Sequence, residues 1–255
     1  METELNGHPV TEVSGWDRPK SEGWIASISR AILERSHFPV AMLRLLLSHG
    51  SWPTTHLCEL LASVHFSGLP TLCLAEVTKS AQSPVLHPAL IGPGSGSVAE
   101  IVALSAITAA LRPKSILEIG THDGFSGWHL WANSQAQILT VDLPRLARPF
   151  LPKDSRIRCL EADSRQWEPA QDDRFDLCFI DAGHDYTCVR NDSEKALQCL
   201  SPGGTILWHD ATWRRYGFAV NRYLHELRDT GRDVRLLKTG FYDYCGLAIL
   251  ESAAF

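Results

Sequence analysis

Ser115-Ile-Leu-Glu-Ile-Gly-Thr-His-Asp-Gly-Phe-Ser-Gly127 is the stretch that decides how this chain is read. Ile116 to Ile119 reads as a short buried strand. A glycine-rich turn follows it, and a helix opens near Phe125. Such a turn brings backbone N–H groups and a helix N-terminus up to a ligand with no side chains in the way. Its glycines, Gly120, Gly124 and Gly127, are spaced G-x-x-x-G-x-x-G, which is not the G-x-G-x-x-G of dinucleotide binders. Glu118 stands two residues before the first glycine. A carboxylate there repels a pyrophosphate and suits a ligand with a cationic amine.

The strands that follow extend this reading. Ile138-Leu-Thr-Val-Asp142 is apolar and ends in an acid, placed where nucleoside-binding α/β sheets hydrogen-bond ribose hydroxyls. S-adenosylmethionine carries both a ribose and a cationic amine. A third strand, Ile157 to Leu160, leads to Asp163 and Ser164, which can hold an adenine edge or form an ordinary Asp-Ser turn. A fourth, Phe175 to Asp181, ends in an acid, and a fifth, Thr205 to Asp210, ends in His209-Asp210. Open α/β sheets place their sites at these carboxyl ends.

Alternation of strand and helix from Ser115 to the fifth strand argues a parallel sheet with helices on both faces. Ser201-Pro-Gly-Gly204 should end the helix before that fifth strand. A helix over 218–227 and strands over 233–237 and 245–250 come last; the short turn between these strands predicts an antiparallel hairpin. Val98 to Leu111 is a helix apolar nearly all round, hence buried. Upstream, residues 1–20 lack periodicity and read as a mobile tail, and residues 21–66 read as helices carrying Trp24 and Trp52. Residues 67–97 read as a loop ending in Gly92-Pro-Gly-Ser-Gly-Ser97, a hinge or a backbone approach to a ligand. The domain division is therefore a tail over 1–20, a helical N-terminal extension over 21–90 and an α/β domain over 91–255.

Composition narrows the function. The 255 residues carry a net charge of −5, which leaves no whole-chain electrostatic footprint for nucleic acid. No apolar run approaches the ~20 residues that span a bilayer. Seven cysteines include no C-x-x-C pair, which fits a reducing, cytoplasmic setting; Cys159 and Cys178 should be buried thiols. The first residues show no secretory leader. His122 and His129 read as surface histidines of a helix, and Trp213, Tyr216, Phe241 and Tyr242 as either an acceptor-pocket wall or plain packing.

With these motifs on the page, the chain resembles the class I S-adenosylmethionine-dependent methyltransferases. ILEIGTHDGFSGWHLW is similar to the cofactor motif of the catechol O-methyltransferase group. FIDAGHDYTCVRNDSEKALQCLSPGGTILWHDATW resembles the macrocin and mycinamicin O-methyltransferases of antibiotic pathways. The likeness covers residues 95–250. It implies a Rossmann-like methyltransferase fold that moves a methyl group to a hydroxyl of a small phenolic, sugar or natural-product acceptor. It further implies that Glu118, Gly120, Thr121 and Ser126 take the methionine part of the cofactor, Asp142 the ribose, and Asp163 and Ser164 the adenine. Asp181 would lie beside the sulfonium and, with His209 and Asp210, ligate a divalent metal, Mg²⁺ or Mn²⁺; His184 would be the general base.

His209 departs from the acidic or amide residue usual in that group. Either it points away, or the metal is softer than Mg²⁺, or there is none. Asp181-Ala-Gly-His184 stands where nucleic-acid amino methyltransferases carry Asn/Asp-Pro-Pro-Tyr, which argues against base amines as acceptors. Two rival expectations are a metal-independent enzyme with His184 or His209 as base, and a non-catalytic scaffold retaining the fold. The N-terminal helices are too few for a core of their own, and should pack on the α/β domain or on the second subunit of a homodimer.

Overall fold

The computed structural model describes residues 69–79, 83–89, 96–145, 147–211, 217–238 and 244–251. The expected tail, the helices of 21–66, most of the Gly92–Ser97 run, and Trp213, Tyr216, Phe241 and Tyr242 lie outside the described residues. No described helix is long and apolar enough to cross a membrane.

The described elements are β1 (Thr71–Cys73), α1 (Leu74–Val77), α2 (Val98–Leu111), β2 (Ser115–Ile119), α3 (Phe125–Ala132), β3 (Gln137–Asp142), β4 (Ile157–Glu161), β5 (Phe175–Ile180), α4 (Tyr186–Gln198), β6 (Leu200–Trp208), α5 (Gly217–Asp229), β7 (Val234–Lys238) and β8 (Tyr244–Glu251). The strands form one sheet of order β1-β7-β8-β6-β5-β2-β3-β4. Neighbours are parallel except around β8, which runs antiparallel to both β6 and β7. The predicted hairpin is therefore present, and β8 inserts between β6 and β7.

Alternation along the strands sorts the core onto two faces. Ile116, Leu177, Phe179, Leu207, Leu247 and Ile249 pack with Leu104 and Ile107 of α2 and Leu130 of α3. Leu117, Ile119, Cys178, Ile180, Ile206, Trp208 and Leu250 pack on the opposite face with Val189 and Ala196 of α4 and Leu224 of α5. Both faces of the sheet are covered, as parallel sheets require. Helix α2 spans Val98–Leu111 as predicted and is buried from Glu100 to Thr108 apart from Val102. Ser97 caps its start, Arg112 closes it at φ 48°, and Pro113 cannot continue it.

Several expectations are corrected. The 67–97 segment is not wholly loop: Thr71–Cys73 is an edge strand pairing in parallel with β7, so the sheet draws on residues before position 91. The three-residue length of β1 leaves no periodicity to detect. No helix forms between β3 and β4 or between β4 and β5 among the described residues; turns connect them. As a consequence β4 is a thinly covered edge strand, and Cys159 is exposed rather than buried, whereas Cys178 is buried as expected. Helix α4 ends at Gln198, and Ser201–Gly204 belong to an early start of β6, beyond a register irregularity against β5. His129 is not a surface residue. Its side chain is fully buried, where Nε2 accepts the backbone N–H of His87 at 3.2 Å.

Candidate active site

Parity and register assemble the site. Phe179 and Leu207 point to the α2 face, so Asp181 and His209, each two residues on, reach the same side just beyond the strand ends. Ile180 pairs with Trp208, and the His209 backbone N–H donates to the Ile180 carbonyl at 3.0 Å, which sets the two side chains abreast. Asp210 leaves the strand with φ 52°, a left-handed conformation that aspartate adopts more readily than most residues with a Cβ. His184 lies in the loop just before α4, whose N-cap Asp185 accepts from the N–H groups of Thr187 and Cys188.

Asp181, His184, His209 and Asp210 can each offer one ligand atom, all within 4.8 Å of one another. His184 Nε2 lies 2.7 Å from Asp210 Oδ2. His209 Nδ1 is 3.0 Å from Asp181 Oδ1 and 3.3 Å from Asp210 Oδ2, and its Nε2 is 3.4 Å from Glu100 Oε2. Both imidazole nitrogens of His209 are buried, and neither meets its carboxylates at a hydrogen-bonding angle, so the attraction is that of ion pairs. Burial disfavours a charged His209, yet the Asp181 charge and the contacts with Asp181, Asp210 and Glu100 hold its pKa well above the ordinary imidazole value. Burial likewise opposes ionisation of Asp210, but His184 and His209 keep its carboxyl below the usual carboxylate range. The Asp210 contact raises His184. A buried imidazole with unaligned nitrogens beside two carboxylates and a second imidazole is a donor set that fits a divalent cation, and its two nitrogens suit Mn, Fe, Co or Zn better than Mg.

A small, partly open cleft lies beside this cluster, lined among others by Gly96, Glu100, Gly120, Thr121, Asp123, Ser126, Phe179, Asp181 and His209. Gly120, at φ 102°, lets the turn after β2 lie against the Asp181 backbone; a Cβ there would fall 2.0 Å from the Asp181 carbonyl oxygen. Glu118 does not line the cleft. It is fully buried behind it, where Ser126 and Thr140 each donate a hydroxyl to its carboxylate at 2.6 Å. Thr140 is its register partner on β3, and Ser126 sits in the first turn of α3. Burial pushes the Glu118 carboxyl up to about 7, although the two hydroxyls oppose the rise. When Glu118 is ionised the Thr140 proton goes to it, and the short Thr121–Thr140 contact then runs from the Thr121 hydroxyl. Thr121 and Ser126 thus turn their protons inward and leave oxygen lone pairs to accept from a ligand in the cleft, an arrangement suited to an ammonium.

Asp142, at the end of β3, accepts from the backbone N–H groups of His122 at 2.7 Å and Leu143 at 2.8 Å. It ties the glycine turn to the neighbouring strand end, and each oxygen retains a second acceptor position. Asp163 is engaged by Arg165, whose guanidinium donates to both carboxylate oxygens and holds the carboxyl at about 2. The Ser164 carbonyl accepts from Asn191 and Lys195. Asp181 and His209 of the metal-type cluster line one cleft with Gly120, Thr121 and Ser126 of the glycine turn, with His184 and Asp210 beside them in the cluster; Glu118 and Asp142 stand outside the lining, and Asp163 and Ser164 are held by their own neighbours. Glu100 was absent from the sequence-derived site. Ser97-x-x-Glu100 signals a helix start, and nothing local tells that this carboxylate faces His209.

Comparison with known proteins places this geometry. A family model described as a methyltransferase domain matches residues 117–211. Over 139 residues the chain is 29% identical to an uncharacterized protein, y4gI, of Sinorhizobium fredii; the match takes in 46% of this chain and only 15% of that much longer protein. A structure from Klebsiella pneumoniae assigned as an O-methyltransferase superposes with a TM-score of 0.51 at 20% identity, over 71% of this chain and 90% of that one. The S-adenosylhomocysteine-bound methyltransferase PaMTH1 of Podospora anserina gives 0.50 at 21% identity, over 70% and 92%. Cofactor-bound Rv0187 from MTB gives 0.50 at 18% identity, over 85% and 98%. Residues 117–211 are similar to a methyltransferase domain, and the sheet and its helices share the Rossmann-like fold of these methyltransferase structures.

Proposed function

We propose that this protein transfers the methyl group of S-adenosylmethionine to a hydroxyl of a small phenolic, sugar or natural-product acceptor, in the cytoplasm, at a site that holds a divalent metal. The observation that carries the proposal is the convergence of Asp181, His184, His209 and Asp210 beside the glycine-turn cleft. The sulfonium supplies an already activated methyl group, and a metal held by Asp181, His209 and Asp210 would lower the pKa of the acceptor hydroxyl. What remains for the chain is alignment and proton removal. Thr121, Ser126 and the buried Glu118 would seat the methionine amine, and Asp142 the ribose diol. Such positioning reaches roughly 7–11 kcal/mol in well-oriented systems. His184 would take the acceptor proton as the O–CH₃ bond forms and the S–CH₃ bond breaks. Asp210, 2.7 Å away, would hold the resulting imidazolium.

The same 2.7 Å pair favours one second reading, in which His184–Asp210 works as a base without any metal. Turnover on a panel of catechols, flavonoids and sugars, with Mn²⁺, Mg²⁺ or chelator, separates the two. In the metal reading Asp181→Ala and Asp210→Ala lose turnover and metal dependence together. His184→Ala keeps metal binding and loses about 10²–10⁴-fold in the chemical step, partly restored at higher pH. Full activity in chelator with no loss in Asp210→Ala would remove the metal. Failure of the wild type to bind S-adenosylhomocysteine would remove the whole proposal and leave a scaffold.

A further inference from the structure

Glu100 stands at the third position of α2, where a glutamate commonly reaches back to cap its own helix from the surface. Here its Oε2 does accept from the Ser97 N–H, yet the side chain is only 4% exposed and faces the site. The same oxygen is 3.4 Å from His209 Nε2. Two glycines on separate elements clear the space. A Cβ at Gly96 would fall 2.5 Å from His209 Nε2 and 2.6 Å from Glu100 Oε2, and one at Gly246 on β8 would overlap Glu100 Oε1. Neither glycine has a backbone conformation that demands glycine, so what they provide is room. The opposite ring nitrogen, Nδ1, faces Asp181 and Asp210. Ligating histidines characteristically present their second nitrogen to a carboxylate, which fixes ring orientation and tautomer.

We propose that Glu100 is a positioning residue that holds the His209 ring with Nδ1 toward the Asp181–Asp210 side, and so sets the affinity of that side for a divalent cation. The proposal rests on the metal reading above and adds to it a residue outside the matched methyltransferase region, 117–211.

The experiment uses the full chain as wild type, Glu100→Gln, Ser97→Ala and Gly96→Ala, with Co²⁺ alone as probe, read by calorimetry and by its visible spectrum. Glutamine serves in a capping box as glutamate does, so Glu100→Gln keeps the helix start and removes only the charge facing His209. Its Co²⁺ affinity should fall about 10–100-fold with an altered spectrum. Gly96→Ala should weaken Co²⁺ in the same direction by displacing the pair. Ser97→Ala should lower stability and leave Co²⁺ affinity unchanged. Unchanged affinity and spectrum in Glu100→Gln, with a wild type that binds Co²⁺, would overturn the proposal and leave the metal reading standing. Equal losses in Ser97→Ala and Glu100→Gln would reduce Glu100 to a cap and overturn it too. A wild type that takes up neither Co²⁺ nor Mn²⁺ would overturn both.

Discussion

Glu118 shows how one residue's chemistry depends on what surrounds it. In the sequence it is a carboxylate beside a glycine turn, fit for direct contact with an amine. In the fold it lies behind Ser126 and Thr140, fully buried, with its carboxyl raised to about 7. A carboxyl whose folded pKa exceeds its unfolded value favours the folded state at low pH. That contribution is fully present below about 4.5 and is lost as pH rises through about 7. A cationic amine arriving in the cleft should reverse this by drawing Glu118 into its ionised form. S-adenosylmethionine binding near pH 6 should therefore release protons. Calorimetry in buffers of different ionisation enthalpy reads the release directly. It should vanish in Glu118→Gln, and a buffer-independent enthalpy in the wild type would show that Glu118 does not sense the ligand.

At the scale of elements, the site hangs on helix starts and strand ends. Asp185 caps α4 through the Thr187 and Cys188 N–H groups, both at 3.0 Å, immediately after His184. Asp185→Ala should cost about 1 kcal/mol in urea unfolding, the ordinary worth of such a cap. It should leave S-adenosylhomocysteine affinity unchanged, since α4 packs on the face of the sheet opposite Glu118 and the α2 side of the cleft. An equal loss of cofactor affinity would mean that the cap also shapes the cleft. The α2 span, Val98–Leu111, was legible from its apolar run, and both boundaries agree with the structure. That Glu100 faces the site was not legible, because it meets His209 across 109 positions of sequence.

At the scale of the whole molecule, the two-faced sheet is what keeps the strand ends in line. Trp208 is 1% exposed on the α4 side, donates through Nε1 to Ser193 Oγ at 2.8 Å, and directly precedes His209 and Asp210. Trp208→Ala should destabilise the fold by about 3–5 kcal/mol, since it removes a large buried ring and leaves a cavity. Denaturant unfolding followed by circular dichroism checks this. A loss under about 1 kcal/mol would show that the α4 face can collapse around the gap.

The sequence by itself determined the parallel α/β class, the buried α2, the terminal hairpin and the acids at successive strand ends. Each is written in a local pattern: apolar runs, glycine spacing, or a short turn between two strands. Only the tertiary structure decided that β1 joins the far edge of the sheet, that β4 is exposed, and that Arg165 takes hold of Asp163. Only it decided that His209 turns inward between Glu100 and the Asp181–Asp210 pair, where the sequence left that histidine open. The physical reason is range. Periodicity and turn chemistry act over a few residues, whereas the partners of a buried charge are chosen by register and by helix packing between segments distant in the chain.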